Sequence, residues 1–150
     1  MNSRRSFLAG SATAAASLLL RPTSLFAQND DSLAAAVRAY ANGVPTREGR
    51  VKLDIAPLVD NGNSVAIDVM VESPMTAADH VVGIAVFNEK NPQREVAEFT
   101  LGPRAGRARV ASRIRLATTQ KLVAVAKLSD GSCWTHTVEV LVTLAACIED

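Results

Sequence analysis

The most reactive side chains in this 150-residue sequence are two cysteines and two histidines: Cys133, Cys147, His80 and His136. A cysteine thiolate forms covalent adducts, and thiolates and imidazoles are also the ligands that zinc prefers. Cys133 and His136 are three residues apart, and on a β-strand this spacing places them on opposite faces. Because no other cysteine or histidine is near them in sequence, we expect no metal site, no cofactor and no catalytic site. Covalent chemistry at Cys147 is the remaining possibility.

Composition and motifs argue against several classes of function. The sequence contains no G-x-S-x-G, H-E-x-x-H or P-loop pattern, so nothing indicates a hydrolase, a zincin or a nucleotide-binding site. A formal net charge of +1 argues against nucleic acid as a partner. Apolar residues make up 48% and aromatic residues 4%, which predicts one domain with an aliphatic core.

Residues 1–27 have the pattern of an export signal. Ser3-Arg4-Arg5-Ser6-Phe7-Leu8 begins an apolar run that extends to Leu20, and this run is too short to form a stable bilayer-spanning helix. Arg21-Pro22 ends the run, and Ala27 is a small residue at a plausible cleavage position. The order of residues is typical of a twin-arginine signal. An ordinary secretory signal and a retained membrane anchor are the alternatives.

Cleavage of this leader would change both the charge and the surroundings of the chain. The leader contains three of the 16 basic residues and none of the 15 acidic ones, so 16 − 3 = 13 basic residues would remain and the net charge would be −2. We predict a periplasmic protein that has no contact with the membrane after cleavage. In that compartment disulfides persist, although two cysteines are too few for a disulfide-dense scaffold.

The remaining chain predicts one short helix followed by β-strands. Leu33, Ala36, Val37 and Tyr40 recur at helical spacing, between the capping residues 30–32 and Asn42-Gly43. Beyond this point, apolar and polar residues alternate with the period of two that indicates strands. We predict strands at residues 51–55, 65–71, 80–87, 95–101, 107–116, 122–128 and 133–144. About seven strands without crossover helices predict an all-β, immunoglobulin-like antiparallel β-sandwich, which forms one domain at residues 28–144.

Cys147 lies beyond the last predicted strand, in a segment that we call the arm: Ala145, Ala146, Cys147, Ile148, Glu149 and Asp150. A chain end with no element after it is expected to be mobile and exposed, which would make Cys147 a swinging reactive thiol.

Three other interpretations of Cys147 are open: a disulfide to Cys133, an incidental cysteine, and the nucleophile of a thiol enzyme. The two cysteines lie at opposite ends of one predicted strand, roughly 45 Å apart at about 3.3 Å per residue, which is too far for a disulfide unless the tail folds back. A thiol enzyme needs a base or cation beside its thiol. The sequence next to Cys147 contains none, and Glu149 and Asp150 act in the opposite direction.

Four arginines fall on one face of the strand predicted at residues 107–116. They are Arg107, Arg109, Arg113 and Arg115. One interpretation is a docking stripe for an acidic partner or an anionic substrate. We favour a solvent-exposed face whose arginines pair across strands. The expected partners are Glu95, Glu98 or Glu139.

Four segments resemble a known family. They are Glu72–Thr76, Asn91–Phe99, Ser112–Gln120 and Val123–Gly131. Together with the twin-arginine leader and the cysteine near the C-terminus, they resemble SoxY, the sulfur-carrier subunit of bacterial thiosulfate oxidation, over about residues 33–147. The resemblance implies an immunoglobulin-like sandwich that pairs with a SoxZ-like subunit and is not itself an enzyme. It also implies that Cys147 carries sulfur intermediates covalently to periplasmic sulfur-metabolising enzymes.

The arm departs from the Gly-Gly-Cys-Gly-Gly arm of SoxY and matches the related group with an Ala-Ala-Cys-Ile-Glu arm. Alanine and β-branched isoleucine restrict the backbone angles that glycine leaves open. Glu149, Asp150 and the terminal carboxylate bring negative charge close to the sulfur, which should raise the thiol pKa and disfavour an anion such as thiosulfate. This difference in the arm therefore weakens the assignment of thiosulfate as cargo. It favours a partner whose pocket for the arm has a wide or basic entrance.

Overall fold

The computed structural model describes residues 32–144. The predicted leader (residues 1–27) and the arm (residues 145–150) lie outside this range. The described residues form one α-helix, nine strands and a short 3-10 turn. The helix is α1 (Leu33–Tyr40), and the strands are β1 (Thr46–Glu48), β2 (Val51–Asp54), β3 (Leu58–Asn61), β4 (Val65–Val71), β5 (Val81–Asn88), β6 (Glu95–Thr100), β7 (Arg109–Ile114), β8 (Gln120–Leu128) and β9 (Cys133–Leu144).

The strands form two sheets. The larger sheet has the order β1-β9-β8-β5-β6, with β3 also paired to β9, and the smaller sheet has the order β2-β4-β7. Neighbouring strands are antiparallel except for β1 and β3, which both run parallel to β9. Strand β9 therefore pairs with β8 along one edge and with two short strands, one after the other, along its other edge.

The core between the sheets is aliphatic, as the low aromatic content predicted. Successive side chains of β4 point to opposite faces of the sheet, so its odd-numbered residues are buried and most even-numbered ones lie at the surface. Val69, Ile84, Leu116, Leu122 and Val140 are completely buried. Burying one such side chain contributes about 1.5–3 kcal/mol, so the alternating pattern determines which face of each strand points inward.

Helix α1 covers the outer face of the larger sheet. The Ser32 hydroxyl caps it by accepting a hydrogen bond from the Ala35 N–H (3.2 Å), and Asn42 and Gly43 end it with positive φ angles. Its apolar side packs on a second, smaller cluster. This cluster consists of Ala85, Phe87, Val123 and Val125, packed against Leu33, Ala36, Val37 and Tyr40.

The predicted fold class is confirmed. All seven predicted strands are present, and the helix has the predicted position. The strand predicted at residues 107–116 is shorter, at Arg109–Ile114. The sequence-based prediction missed β1 and β3, which are mostly exposed, because neither the three polar residues of β1 nor the sequence Leu-Val-Asp-Asn of β3 alternates apolar and polar residues.

Tyr40 is positioned by a glycine of the sheet beneath it. Its Oη atom is buried, has no hydrogen-bond partner among the described residues, and lies 2.7 Å from the position that a Cβ on Gly83 would occupy. Burial raises the pKa of Tyr40 to about 12, and the negative charge of Glu98 acts in the same direction. The ring packs edge-on against Phe87 at 5.6 Å and lies 3.9 Å from Lys127 Nζ. The absent side chain of Gly83 therefore allows the helix to lie directly on the sheet.

We expect Gly83→Ala to destabilise the protein by about 1–3 kcal/mol, because the added methyl group collides with the Tyr40 hydroxyl. In a Tyr40→Phe background the same substitution should lower the free energy of unfolding by clearly less, since the colliding oxygen is absent. Urea denaturation of the two single variants and the double variant measures this coupling. Equal costs of Gly83→Ala in the two backgrounds would contradict the contact.

Candidate functional site: the root of the arm

Strand β9 ends at Leu144, three residues before Cys147, and its last residues are held from two sides. On one side, the Thr119 hydroxyl accepts a hydrogen bond from the Val142 N–H (2.9 Å). On the other side, the Thr143 hydroxyl donates to the carbonyl oxygen of Asp60 (3.0 Å). The chain is therefore anchored immediately before the arm begins, and we call residues 141–144 the root.

Strand β3 and the turn after it complete this anchor. In the parallel pairing, Leu58 lies beside Leu141 and Asn61 beside Leu144. The Gly62 N–H donates to the Leu144 carbonyl oxygen (2.9 Å), and the Gly62 carbonyl accepts from the Leu116 N–H (2.8 Å). Backbone hydrogen bonds thus connect the last described residue to two loops of the sandwich.

A partly buried polar network connects to those loops. The side-chain oxygen of Asn91 accepts from the Ala117 N–H (2.9 Å) and from Gln120 Nε2 (2.8 Å), and Asn91 Nδ2 donates to the Arg115 carbonyl (2.8 Å). Gln120 is 2% exposed and Asn88 is fully buried, and both have hydrogen-bond partners. A satisfied network of this kind rigidifies its surroundings, whereas loss of one member leaves buried groups unpaired. Two of the segments that carry the family resemblance meet in this network.

The side chains around the root are unusually apolar for a surface. Leu58, Leu141 and Leu144 are 56%, 53% and 65% exposed. Because paired residues of neighbouring strands point to the same face, Leu58 and Leu141 lie side by side on the outer face of the larger sheet. Leu58 also lines an open groove of about 730 Å³, together with residues 54–56 and the start of β4.

Cys133 has different surroundings from those predicted for Cys147. It is a free thiol, 3% exposed, at the first position of β9. Burial raises the pKa of the Cys133 thiol. The positive charge of Lys127 acts to lower this pKa, whereas the negative charge of Asp130 acts to raise it further. A buried thiol with a raised pKa is a poor nucleophile at neutral pH. The eleven residue steps from Cys133 to Leu144 correspond to about 36 Å of extended strand, so Cys133 is remote from the root.

Both histidines make hydrogen bonds with the backbone. His136 Nδ1 accepts from the Leu53 N–H (3.0 Å), which ties the larger sheet to the edge of the smaller one, and His80 Nδ1 lies 3.0 Å from the Thr76 carbonyl oxygen. Cys133 and His136 lie on opposite faces of β9, as their spacing predicted, since His136 reaches the smaller sheet. Within residues 32–144, no group of three or more histidine, cysteine or acidic side chains is placed to bind a metal ion.

The predicted partners of the arginine face were wrong. Arg109 forms an ion pair with Asp68. Its guanidinium group donates hydrogen bonds to the Asp68 carboxyl group and thereby lowers the pKa of that group. Arg113 donates to the hydroxyl of Ser64 (2.8 Å). The prediction that these arginines pair with Glu95, Glu98 or Glu139 fails because β7 pairs with β4, whereas those glutamates lie on β6 and β9 in the other sheet. The four arginines do lie on an exposed face, as predicted, and the carboxylate of Asp68 lies on the same face.

The sequence analysis did not identify the residues that anchor the root. The sequence Asn61-Gly62-Asn63 is typical of a turn, and nothing in it indicates that the Gly62 amide would donate a hydrogen bond to Leu144. Thr119 ends a segment of turn-forming residues, and its role depends on the antiparallel register of β8 and β9, which places Gln120 opposite Val140. The arm residues Ala145, Ala146, Cys147, Ile148, Glu149 and Asp150 lie outside the described range, so their predicted role stays a prediction.

Comparison with known proteins agrees with this architecture. The family model described as "Sulfur oxidation protein SoxY" matches residues 36–147. Among solved structures, the chain is similar to the sulfur carrier protein SoxY from Chlorobium limicola f thiosulfatophilum, at 27% identity and a TM-score of 0.64, over 75% of this chain and 97% of that one. No curated protein matches it.

Superoxide reductases share the fold. The neelaredoxin of Ignicoccus hospitalis has 16% identity and a TM-score of 0.57, over 64% of this chain and 82% of that one. A putative superoxide reductase from Thermotoga maritima has 19% identity and a TM-score of 0.56, over 66% and 93%. At these identities the likeness shows the fold alone.

The fold is an immunoglobulin-like β-sandwich. Its last strand is anchored at the root, three residues before the candidate reactive residue, Cys147. The family match covers most of the chain, so the chain belongs to the SoxY family, and this membership supports a sulfur-carrier role. No helix within the described residues is long and apolar enough to cross a membrane.

We expect a maleimide reagent to modify Cys147 rapidly in the native protein. It should modify Cys133 at a rate at least about 100-fold lower, because a buried thiol reacts only when the structure opens locally. Peptide mapping after timed labelling measures both rates, and Cys147→Ser should remove the fast phase while Cys133→Ala leaves it unchanged. Similar rates for the two cysteines in native protein would contradict the predicted exposure of Cys147.

Proposed function

We propose that this chain is a covalent sulfur carrier that holds its cargo on Cys147 and presents it to separate enzymes. The observation that carries the proposal is the extent of the family match, which continues past the last strand and includes Cys147. The anchored root supports it, since a carrier needs a firm body from which its reactive group extends.

Loading is the formation of a sulfur–sulfur bond. The thiol of Cys147 loses its proton to solvent, the resulting thiolate forms a bond to the sulfur of a small sulfur-containing anion, and the two electrons released pass to an oxidising partner enzyme. This chain supplies the thiol, and the electron acceptor belongs to the partner. The acidic residues Glu149 and Asp150 next to the thiol disfavour anionic cargo in free solution, so the partner must supply a basic pocket.

The described residues support carrying rather than catalysis by this chain. Cys133 is buried, and His80 and His136 make backbone hydrogen bonds that hold the loops and the two sheets. A tail pinned by a disulfide between the two cysteines is less well supported, since Cys133 is a free thiol inside the fold, remote from the root.

The cellular context forms part of the same proposal. We infer that the twin-arginine leader directs the chain to the periplasm, where it pairs with a SoxZ-like subunit and serves periplasmic sulfur-metabolising enzymes. The family assignment supports partners of this kind, and residues Ser3–Leu8 support the route.

We expect mass spectrometry of protein purified from its native host, grown on a reduced sulfur compound, to show adducts on Cys147 that reducing agents remove. Cys147→Ser should abolish both the adducts and growth on that compound. Cys133→Ala serves as the matched control and should retain both. A bare Cys147 under these conditions would contradict the carrier function, and non-reducing peptide mapping of the same sample would reveal a Cys133–Cys147 disulfide.

Replacing Arg4 and Arg5 with lysine should prevent the protein from accumulating in the periplasm, because the twin-arginine translocase reads the arginine pair whereas the general secretory pathway needs only positive charge. Cell fractionation followed by immunoblotting measures the outcome. Arg21→Lys, which alters an arginine outside the pair, should be exported normally. Unimpaired export of the double-lysine variant would favour the ordinary secretory signal.

A further inference from the structure

Strand β7 forms an edge of the smaller sheet. In the order β2-β4-β7, the described residues pair β7 with β4 alone. A sheet edge carries a row of backbone N–H and C=O groups that have no strand partner, and such an edge can accept a further strand. This edge belongs to the sandwich and not to the arm, so what binds it is independent of the carrier function proposed above.

The register of β7 shows which of its backbone groups face the open edge. The Ala108 carbonyl accepts a hydrogen bond from the Val71 N–H (2.8 Å), so this carbonyl points toward β4. In an antiparallel pair, the residues that bond to the neighbouring strand alternate with residues that do not. The N–H and C=O groups of Arg109, Ala111 and Arg113 therefore point away from β4, where a further strand would meet them.

The side chains of these same residues lie on the outer face of the smaller sheet. They pair with even-numbered residues of β4, which point away from the core. Arg109 and Arg113 lie on either side of Ala111, about 13 Å apart along the strand, and Arg115 continues the row. All three arginines are exposed. The open edge is therefore bordered by a row of positive charges.

This positive charge is only partly neutralised within the chain. Residues 99–116 contain five arginines and no acidic residue. Arg109 is paired with Asp68 of β4, whereas in the described part of the chain no carboxylate forms an ion pair with Arg113 or Arg115. Like charges along a strand repel one another, and negative charges on an added strand would relieve this repulsion.

The inward-facing side chains of β7 are incompletely covered at this edge. Val110 and Ser112 are half-buried, whereas their partners on β4, Val69 and Ile67, are 0% and 3% exposed. The inward residues of an added strand would cover Val110, which favours apolar side chains there. Because successive side chains of a strand point to opposite faces, the other residues of that strand would lie beside the arginines, which favours acidic side chains.

We propose that β7 binds an extended segment of a partner protein in which acidic and apolar residues alternate. The segment adds a fourth strand to the smaller sheet by bonding to the outward backbone groups of β7. Its acidic side chains lie beside Arg113 and Arg115, and its apolar side chains cover Val110. Charged residues on an edge discourage pairing with neutral or basic strands, so the arginines make the edge selective for an acidic one.

Two other occupants fit the edge less well. In a second copy of this chain, the acidic edge strand is β6, which contains Glu95 and Glu98. Pairing β7 of one copy with β6 of the next does not close and would give open-ended polymers. Anionic lipid headgroups match the arginines, but they leave the backbone groups of the edge and Val110 without partners.

The test uses a fluorescent peptide of four Val-Glu repeats and a second peptide of the same composition in which the four valines precede the four glutamates. Fluorescence anisotropy measures the binding of each to the full chain. Arg113→Gln/Arg115→Gln removes charge from the row, and its charge-matched control is Arg38→Gln/Lys52→Gln, on α1 and on β2 at the opposite edge. Ala111→Pro removes one outward N–H and is tolerated on an edge strand, whereas its control Ala111→Val keeps this N–H.

We expect the alternating peptide to bind wild type and both controls with equal affinity, and the block peptide to bind clearly more weakly. Arg113→Gln/Arg115→Gln should weaken binding of the alternating peptide about tenfold, since two cross-strand charge pairs are lost. Ala111→Pro should abolish binding although its arginines are intact. Melting temperatures close to that of wild type would show that the variants are folded.

Four outcomes would overturn the proposal. Wild type does not bind the alternating peptide, or it binds both peptides equally, or Ala111→Pro binds as well as Ala111→Val; the last two show attraction between charges without strand addition. Binding to phosphatidylglycerol vesicles in place of the peptide assigns the arginines to a membrane surface. Adduct formation on Cys147 is measured separately, so failure of this proposal and failure of the carrier function are distinguishable.

Discussion

The structure depends on the pairing of β9 along both of its edges. This twelve-residue strand is antiparallel to β8 on one edge and parallel to β1 and then β3 on the other. Val140, at 0% exposure, fixes its inward face, and a slip of one residue would turn the buried face toward solvent. Because its register is specified so strongly, the position of Leu144, the last described residue, is specified as well.

The length of β9 also separates the two cysteines along the chain. Cys133 begins the strand inside the fold, where burial raises its pKa and keeps it unreactive. Cys147 follows three residues after the other end of the strand. In the oxidising compartment proposed for this protein, this separation would reduce the risk that Cys147, the proposed carrier residue, forms a disulfide with Cys133, since a disulfide requires Cα atoms within about 7 Å of each other.

The loops at the root show why the family pattern is spread over distant segments. Asn91 and Gln120 are far apart in sequence, yet their side-chain amides are joined by a hydrogen bond of 2.8 Å. Burying an amide without a partner costs about 1–3 kcal/mol, so each of these residues depends on the presence of the others. Two of the segments that resemble SoxY thus contribute side chains to a single hydrogen-bond network.

Local patterns in the sequence were sufficient to predict the helix, seven of the nine described strands, the aliphatic core and the opposite faces of Cys133 and His136, because all of these depend on short periods and on which side of a strand is buried. Local patterns could not determine which strands pair. Only the tertiary structure decided that Arg109 meets Asp68, that His136 accepts from Leu53, and that Gly62 and Thr119 hold the end of β9. Each of these contacts joins residues that are distant along the chain, and their geometry exists only once the sheets have assembled.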